Sequence, residues 1–179
     1  MAAARALHAI ADMLERHAPD PPLPKTILTG PPYSATDMAA RMPFDFVIGQ
    51  HSPLALPLDL SFEPPRALLR GAFTRPYEGP PGCVHGGVLA ASFDLVLAAA
   101  NLIADLPGPT ARLEIVYRRP TVLYEPCLFE GRVDGQNGKR VRTVGRLIQR
   151  DQVTVEAAGE FALRDRGDIA RMSERAHTD

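Results

Sequence analysis

The longest apolar stretch of the chain runs from about Gly87 to Asp105. Alanine, leucine, valine, isoleucine and phenylalanine dominate it, no proline or interior glycine interrupts it, and Pro107-Gly108-Pro109 follows it. A run of this length without breakers predicts a helix rather than a strand. Because its apolar residues lie on every side, the helix is predicted to be buried. One carboxylate, Asp94, lies in the middle of it.

Shorter segments on both sides of this run alternate apolar and polar residues with the period of a strand. The turn signals between them are Glu63-Pro-Pro-Arg and the hairpin sequence Asp134-Gly-Gln-Asn-Gly138. The predicted strands are 56–62, 67–74, 111–119, 126–133, 139–150 and 152–163. Strands joined by hairpins form a largely antiparallel sheet, and such a sheet can cover the single helix. The pattern therefore predicts an α+β domain with an antiparallel sheet wrapped around one long central helix.

The segments outside this domain have different patterns. Residues 2–17 carry large apolar residues at helical spacing, which predicts an amphipathic helix that packs on the domain or on a partner subunit. Six prolines between residues 18 and 35 predict an extended linker, and 36–42 could form one short helix. We divide the chain into an N-terminal helix and linker at 1–43, one domain at 44–163, and a charged tail at 164–179.

Composition narrows the classes of function. The chain of 179 residues is 45% hydrophobic and has a formal net charge of −1, so we expect a globular domain without general attraction to nucleic acid or membranes. Its two cysteines form no Cys-x-x-Cys pair and no zinc-ligand spacing, so no metal is expected. The N-terminus has no continuous apolar segment typical of a secretory signal, and we expect a cytoplasmic protein.

The position of Asp94 in an apolar helix needs a physical reason. Burying an unpaired charge is costly, so the carboxylate must be paired, hydrogen-bonded or open to a pocket. The same helix begins at His85-Gly86-Gly87, where two glycines leave backbone N–H groups uncovered by side chains. These amides and the positive end of the helix dipole suit a developing negative oxygen. Such an oxyanion site and a carboxylate are the minimum that hydrolysis of an activated acyl group requires.

Further motifs accompany this pair. The segment Glu78-Gly-Pro-Pro-Gly82 leads into His85-Gly86-Gly87, Asp94 follows the histidine by nine positions, and the next strand ends in Tyr117-Arg-Arg-Pro120. With these motifs the chain resembles the hotdog-fold acyl-CoA thioesterases of the PaaI and THEM types, over about residues 45–163. The resemblance implies a hotdog fold, hydrolysis of an acyl-CoA to free acid and coenzyme A, and no cofactor, because coenzyme A is part of the substrate. It also implies a homodimer with sites at the subunit interface, often doubled into a homotetramer.

The resemblance implies roles for individual residues. Asp94 matches the carboxylate that acts as nucleophile or as general base for water, and both alternatives stay open. Gly87, with Gly86 as the second choice, would donate its N–H to the thioester carbonyl. His85 would shape the loop by hydrogen bonding, or contact the thioester directly. Thr110 would reach the partner's site to orient water or substrate, or would only start the strand.

The candidates for substrate binding lie in the lead-in loop and in basic stretches of the later strands. Arginine side chains are suited to pair with the phosphates of coenzyme A. The candidates are Glu78, Gly79, Val84, Arg118, Arg119, Arg140 and Arg142. Other PaaI-type enzymes have Asn or Gln in the lead-in, where this chain has Gly79-Pro80-Pro81, so the sequence departs from the family pattern there.

Three other functions compete with this interpretation. A Cys83–His85 nucleophile is disfavoured, because residues two apart in a loop rarely converge and no third group orients them. An enoyl-thioester hydratase would use a catalytic histidine in a different local pattern. A non-catalytic acyl-CoA-binding module would not need a carboxylate beside the thioester, so Asp94 argues against it.

Overall fold

The structure, a computed structural model, describes residues 2–16, 34–165 and 167–168. Most of the predicted proline-rich linker and of the charged tail lies outside these residues. The helices are α1 (Ala2–Glu15), α2 (Ala35–Arg41) and α3 (Gly86–Ile103), with a short 3-10 helix at Arg75–Tyr77. The strands are β1 (Leu58–Glu63), β2 (Arg66–Ala72), β3 (Thr110–Tyr117), β4 (Pro126–Asn137), β5 (Arg140–Gln149) and β6 (Gln152–Ala162).

The six strands form one sheet in the order β1-β2-β4-β5-β6-β3, and every neighbouring pair is antiparallel. The predicted antiparallel sheet is therefore confirmed. Helix α3 packs on one face of it, mainly against β4, β2 and β5. Strands β1 and β3 are the two edges, and β3 brings Thr110 and Tyr117 alongside the helix.

The core lies between α3 and the concave face of the sheet. Phe93 of the helix meets Phe129 of β4 edge to face, with ring centroids 5.1 Å apart, and both side chains are fully buried. Gly131 of β4 lets the helix approach closely, because a Cβ there would lie 2.8 Å from the carbonyl oxygen of Val96. Helix α3 is therefore held in a fixed place by packing along its length.

The length and composition of α3 would also allow it to span a membrane, but half of its residues are buried inside the domain. The buried apolar side chains of α3 thus contact the sheet rather than lipid. Among the described residues, α3 is thus the central helix of the domain, as the apolar run predicts.

One prediction about local structure is wrong, and one keeps only one of its two alternatives. The hairpin turn lies at Gly138–Lys139 rather than over residues 134–138, because β4 continues to Asn137 past an irregularity next to Gly135. Gly138 has a φ of +56°, which explains a glycine at the turn itself.

Helix α1 forms as predicted but does not pack on the domain, and the side chains of Leu7 and Leu14 are more than half exposed.

Candidate active site

The N-terminus of α3 is capped by a histidine. His85 is extended, with φ −63° and ψ 131°, and its Nδ1 accepts a hydrogen bond from the Gly87 N–H at 3.0 Å. The His85 carbonyl oxygen accepts from the N–H groups of Val88 at 3.0 Å and Leu89 at 3.3 Å. Among the described residues, nothing accepts a hydrogen bond from the Gly86 N–H. This amide is therefore the free donor at the positive end of the helix.

The structure therefore favours a different oxyanion donor from the one that the sequence favours. The sequence favours Gly87 over Gly86, but the imidazole of His85 already occupies the Gly87 N–H. Whether a cap ring bonds the second or the third N–H of a helix depends on its side-chain torsion, which no sequence pattern encodes. His85 shapes the loop by hydrogen bonding, as expected, and because Nδ1 accepts, the neutral ring carries its proton on Nε2.

Tyr117 is a site residue that the sequence analysis missed. Its hydroxyl donates to the Gly86 carbonyl oxygen at 2.8 Å, from the last residue of β3. Its ring lies against the glycine, since a Cβ on Gly86 would be 3.1 Å from the phenol oxygen. The tyrosine is part of the Tyr117-Arg-Arg-Pro120 motif, but only the pairing of β3 with β6 shows that it reaches the helix end.

The lead-in loop is closed by its own bonds. The Glu78 carboxylate accepts from the Gly82 N–H at 2.7 Å and lies 3.6 Å from Arg75, so its oxygens hold the loop together. Gly79 makes room for the histidine, because a Cβ there would lie 2.8 Å from the His85 Cα. A larger residue at position 79 would therefore displace His85, whose ring caps the helix.

Val84 and Cys83 of the loop do not have the surroundings that their candidate roles would require. Val84 is buried in the core at 4% exposure, and its N–H donates to the Thr121 carbonyl, so its predicted contact with substrate is replaced by a packing role. No hydrogen bond joins Cys83 to His85 among the described contacts, and the His85 Nδ1 is already engaged. Burial raises the pKa of the other thiol, Cys127, to about 11, so this cysteine is protonated at neutral pH.

Asp94 lies two turns further along α3 and is half-buried. Its Oδ1 accepts a hydrogen bond from the Thr110 hydroxyl at 2.7 Å, at the start of β3 of the same chain. The exposed Thr110 therefore fixes the orientation of one carboxylate oxygen and leaves the other free. Neighbouring Ala91 and Ala98 on the helix are also partly exposed, so the carboxylate opens to the surface rather than into the core.

Removing this hydroxyl should reduce activity without unfolding the protein. We expect Thr110→Val to lower kcat for thioester hydrolysis about tenfold, because an oriented carboxylate becomes free to rotate. Thr110→Ser keeps the hydroxyl and should retain most of the activity. Steady-state kinetics of both variants checks this, with thermal unfolding as the control. Equal losses in the valine and serine variants would show that the hydroxyl has no such role.

The two halves of the site do not meet within one chain. Gly86 and Asp94 are eight residues apart on one helix, roughly 12 Å along its axis. The Gly86 N–H points out of the N-terminal end, away from Asp94, so a carbonyl bound there would be further still. Within one chain, therefore, the amide and the carboxylate do not reach the same carbonyl.

The candidate arginines separate into two groups. Arg118 donates to Glu156 at 2.7 Å and Arg119 to the Val153 carbonyl at 3.3 Å, both near the Gly86 end of β3. Arg142 donates to Asp134 at 3.2 Å, near the opposite end of the sheet, where β5 begins with the exposed Arg140. The four arginines thus do not form one phosphate site within a chain.

The sheet also has a cavity on the face that does not contact α3. A groove of about 480 Å³ lies on the outer face of the sheet, away from α3, between ion-paired side chains such as Arg146 and Glu130. Neither Gly86 nor Asp94 lines it. Because each carboxylate that lines this groove has an arginine beside it, we place the chemistry at α3. Among the described residues, no group of three or more histidine, cysteine or acidic side chains could hold a metal ion.

Comparisons with known proteins agree with this fold. The family model of the thioesterase superfamily matches residues 81–156, which include the helix, Asp94 and Thr110. A crystal structure described as a thioesterase superfamily protein is 34% identical, with a TM-score of 0.74, and the match covers 89% of this chain and 76% of that one.

Two more distant structures share the fold. Zebrafish thioesterase superfamily member 2 is 16% identical with a TM-score of 0.63, over 74% of this chain and all of its own. The smu.793 protein of Streptococcus mutans, bound to acetyl-CoA, is 16% identical with a TM-score of 0.56, over 60% of this chain and 88% of that one. The expected hotdog fold is confirmed, and this chain belongs to the thioesterase superfamily.

Proposed function

We propose that this protein hydrolyses an acyl-CoA thioester in sites shared between two subunits. In each site the Gly86 amide of one subunit binds the thioester carbonyl, and Asp94 of the other subunit acts on its carbon. The observation that carries this proposal is a free amide at one end of α3 together with a half-exposed carboxylate eight residues along the same helix. Within one chain the Gly86 amide has no catalytic carboxylate beside it, and the Asp94 carboxylate has no free amide beside it.

An antiparallel arrangement of two α3 helices would bring these groups together. Across a two-fold axis every contact occurs twice, so Gly86 would face the other subunit's Asp94 at two places. The midpoint between the two residues is Ala90, which is partly exposed, as is the neighbouring Ala91. Small side chains at the midpoint allow two helices to approach closely. A homodimer is thus the smallest complete enzyme under this proposal, and doubling into a tetramer is compatible with it.

The chemistry follows from the positions of donor and acceptor. As the thioester carbon becomes tetrahedral, negative charge moves to its oxygen, and the Gly86 N–H at the positive end of the helix stabilises that charge. Asp94 either takes a proton from the attacking water or attacks the carbon itself to form an anhydride that water then cleaves. Thr110 holds the carboxylate in place in both cases. The thiol of coenzyme A leaves, and no metal or bound cofactor takes part.

The substrate class has indirect support. The Streptococcus mutans relative has acetyl-CoA bound, and it shares the fold of this chain. Arg118 and Arg119 lie on the strand end next to Gly86, so they could pair with coenzyme A phosphates entering from that side. A cytoplasmic location would give access to acyl-CoA.

The experiment is a hydrolysis screen with the full chain. Acetyl-, medium-chain, long-chain and aromatic acyl-CoAs are incubated with the protein, and loss of the thioester is followed by absorbance and by mass spectrometry of the products. We expect free acid and coenzyme A from at least one class. Tight binding without cleavage of any acyl-CoA would indicate a binding module, and addition of water to an enoyl-CoA without thiol release would indicate a hydratase. Either result would overturn the proposal.

A further inference from the structure

We propose that Tyr117 is the positioning residue that fixes the oxyanion donor, an inference that rests on the proposed thioester hydrolysis. The tyrosine would not touch the reacting atoms. It would act through the peptide group between Gly86 and Gly87, which joins the peptide that carries the Gly86 N–H at the Gly86 Cα. No feature of the sequence assigns this role to it.

The Gly86–Gly87 peptide is held at both of its polar atoms. The Tyr117 hydroxyl donates to its carbonyl oxygen at 2.8 Å, and its N–H donates to the His85 Nδ1 at 3.0 Å. The preceding peptide is also held, because the His85 carbonyl accepts from two helical N–H groups. The free Gly86 N–H belongs to this preceding peptide. Because both peptides that meet at the Gly86 Cα are held, the direction of this N–H is set before a substrate arrives.

This restraint matters because two adjacent glycines form the helix start. Glycine lacks a Cβ and moves between backbone conformations more freely than any other residue. A freely moving donor would have to be ordered during the reaction, which lowers the benefit of an oxyanion site. The ring of Tyr117 also fills the side of Gly86 where a Cβ would be, 3.1 Å from the phenol oxygen and 3.3 Å from Cζ. The aromatic ring therefore limits the glycine by contact as well as by hydrogen bonding.

The location of Tyr117 makes a purely structural role a poor explanation. Its backbone is fixed by pairing with Val155, but its side chain is 52% exposed and lies outside the core. A hydrogen bond at such an exposed position contributes little to the free energy of folding, because water can replace it. Loss of the hydroxyl should thus change activity much more than stability.

The test compares Tyr117→Phe with a matched control, Tyr124→Phe. Tyr124 is also an exposed tyrosine, at 63%, and no hydrogen bond of its hydroxyl is present among the described contacts. We expect Tyr117→Phe to lower kcat about tenfold with little change in KM, because only the transition state charges the oxygen. The thermal midpoint should stay unchanged, and the control should behave as wild type. Combined with a variant that lacks the Gly86 N–H, the phenylalanine substitution should cause no additional loss.

A second measurement does not depend on turnover. Nitrogen relaxation of the Gly86 and Gly87 amides should show greater backbone motion in Tyr117→Phe than in Tyr124→Phe. Unchanged kcat and unchanged relaxation would overturn the role of Tyr117. A higher KM at constant kcat would also overturn it, since it indicates substrate contact. If the wild type hydrolyses no acyl-CoA, the proposed function fails, while altered relaxation would still establish that Tyr117 fixes the helix start.

Discussion

Asp94→Asn should lower kcat for acyl-CoA hydrolysis by about 10²- to 10⁴-fold, the range expected when an acid–base or nucleophilic group is lost. The asparagine has nearly the same shape, and its amide oxygen can still accept the Thr110 hydroxyl, but it neither takes a proton nor forms an anhydride. The fold should therefore survive, and KM should change little. Steady-state kinetics on the best acyl-CoA measures the effect.

The control for this variant removes a carboxylate elsewhere. Asp59 is exposed on the edge strand β1, on the side of the sheet opposite β3, so Asp59→Asn makes the same chemical change away from the site. We expect wild-type kinetics from it. Full activity in Asp94→Asn would contradict the role of the carboxylate, whichever of its two chemistries applies.

Gly86→Pro should produce a loss of similar size, about 10²- to 10³-fold in kcat, which is typical for removal of one oxyanion donor. Proline has no N–H, so the substitution deletes the proposed donor itself. The backbone at this position suits proline, because Gly86 is the first helical residue and His85 already has the extended conformation that must precede a proline.

Gly86→Ala separates the lost amide from the added carbon atoms. Both variants place a Cβ against Tyr117, but only alanine keeps the N–H. We expect alanine to cost less than proline, and the ratio of their kcat values measures the contribution of the amide. Equal kcat values in the two variants would show that the Gly86 N–H is not the oxyanion donor, and Gly87 would then be the candidate.

Much of the fold follows from the sequence because its signals are local. The uninterrupted apolar run predicts a helix at 87–105, and α3 spans Gly86–Ile103. The alternating segments predict six strands, and the structure has six antiparallel strands close to those positions. In both cases burial determines the order of residues, which is an uninterrupted apolar run in α3 and an alternation of apolar and polar residues in the strands.

The parts that could not be predicted depend on side-chain direction or on distant contacts. The sequence indicates that amides are exposed at the start of α3, but not that the His85 ring engages the Gly87 N–H and leaves Gly86 free. The contact between Tyr117 and Gly86 joins residues 31 positions apart and depends on the register of β3.

Part of the N-terminal segment that contains helix α1 is shared with a solved structure. The 34% identical superfamily protein matches 89% of this chain, and residues 44–179 make up only about three quarters of it. The match must therefore include part of residues 1–43. Our expectation that this helix packs on a partner subunit stays a prediction.

Mixing two inactive variants tests the shared site most directly. Asp94→Asn and Gly86→Pro chains are co-expressed with different tags, and dimers that contain one of each are purified. Such a dimer has one site with both defects and one site with neither, so it should recover about half of the wild-type activity per dimer, while each variant alone stays inactive. Mixed dimers as inactive as their parents would show that the carboxylate and the amide do not meet across subunits.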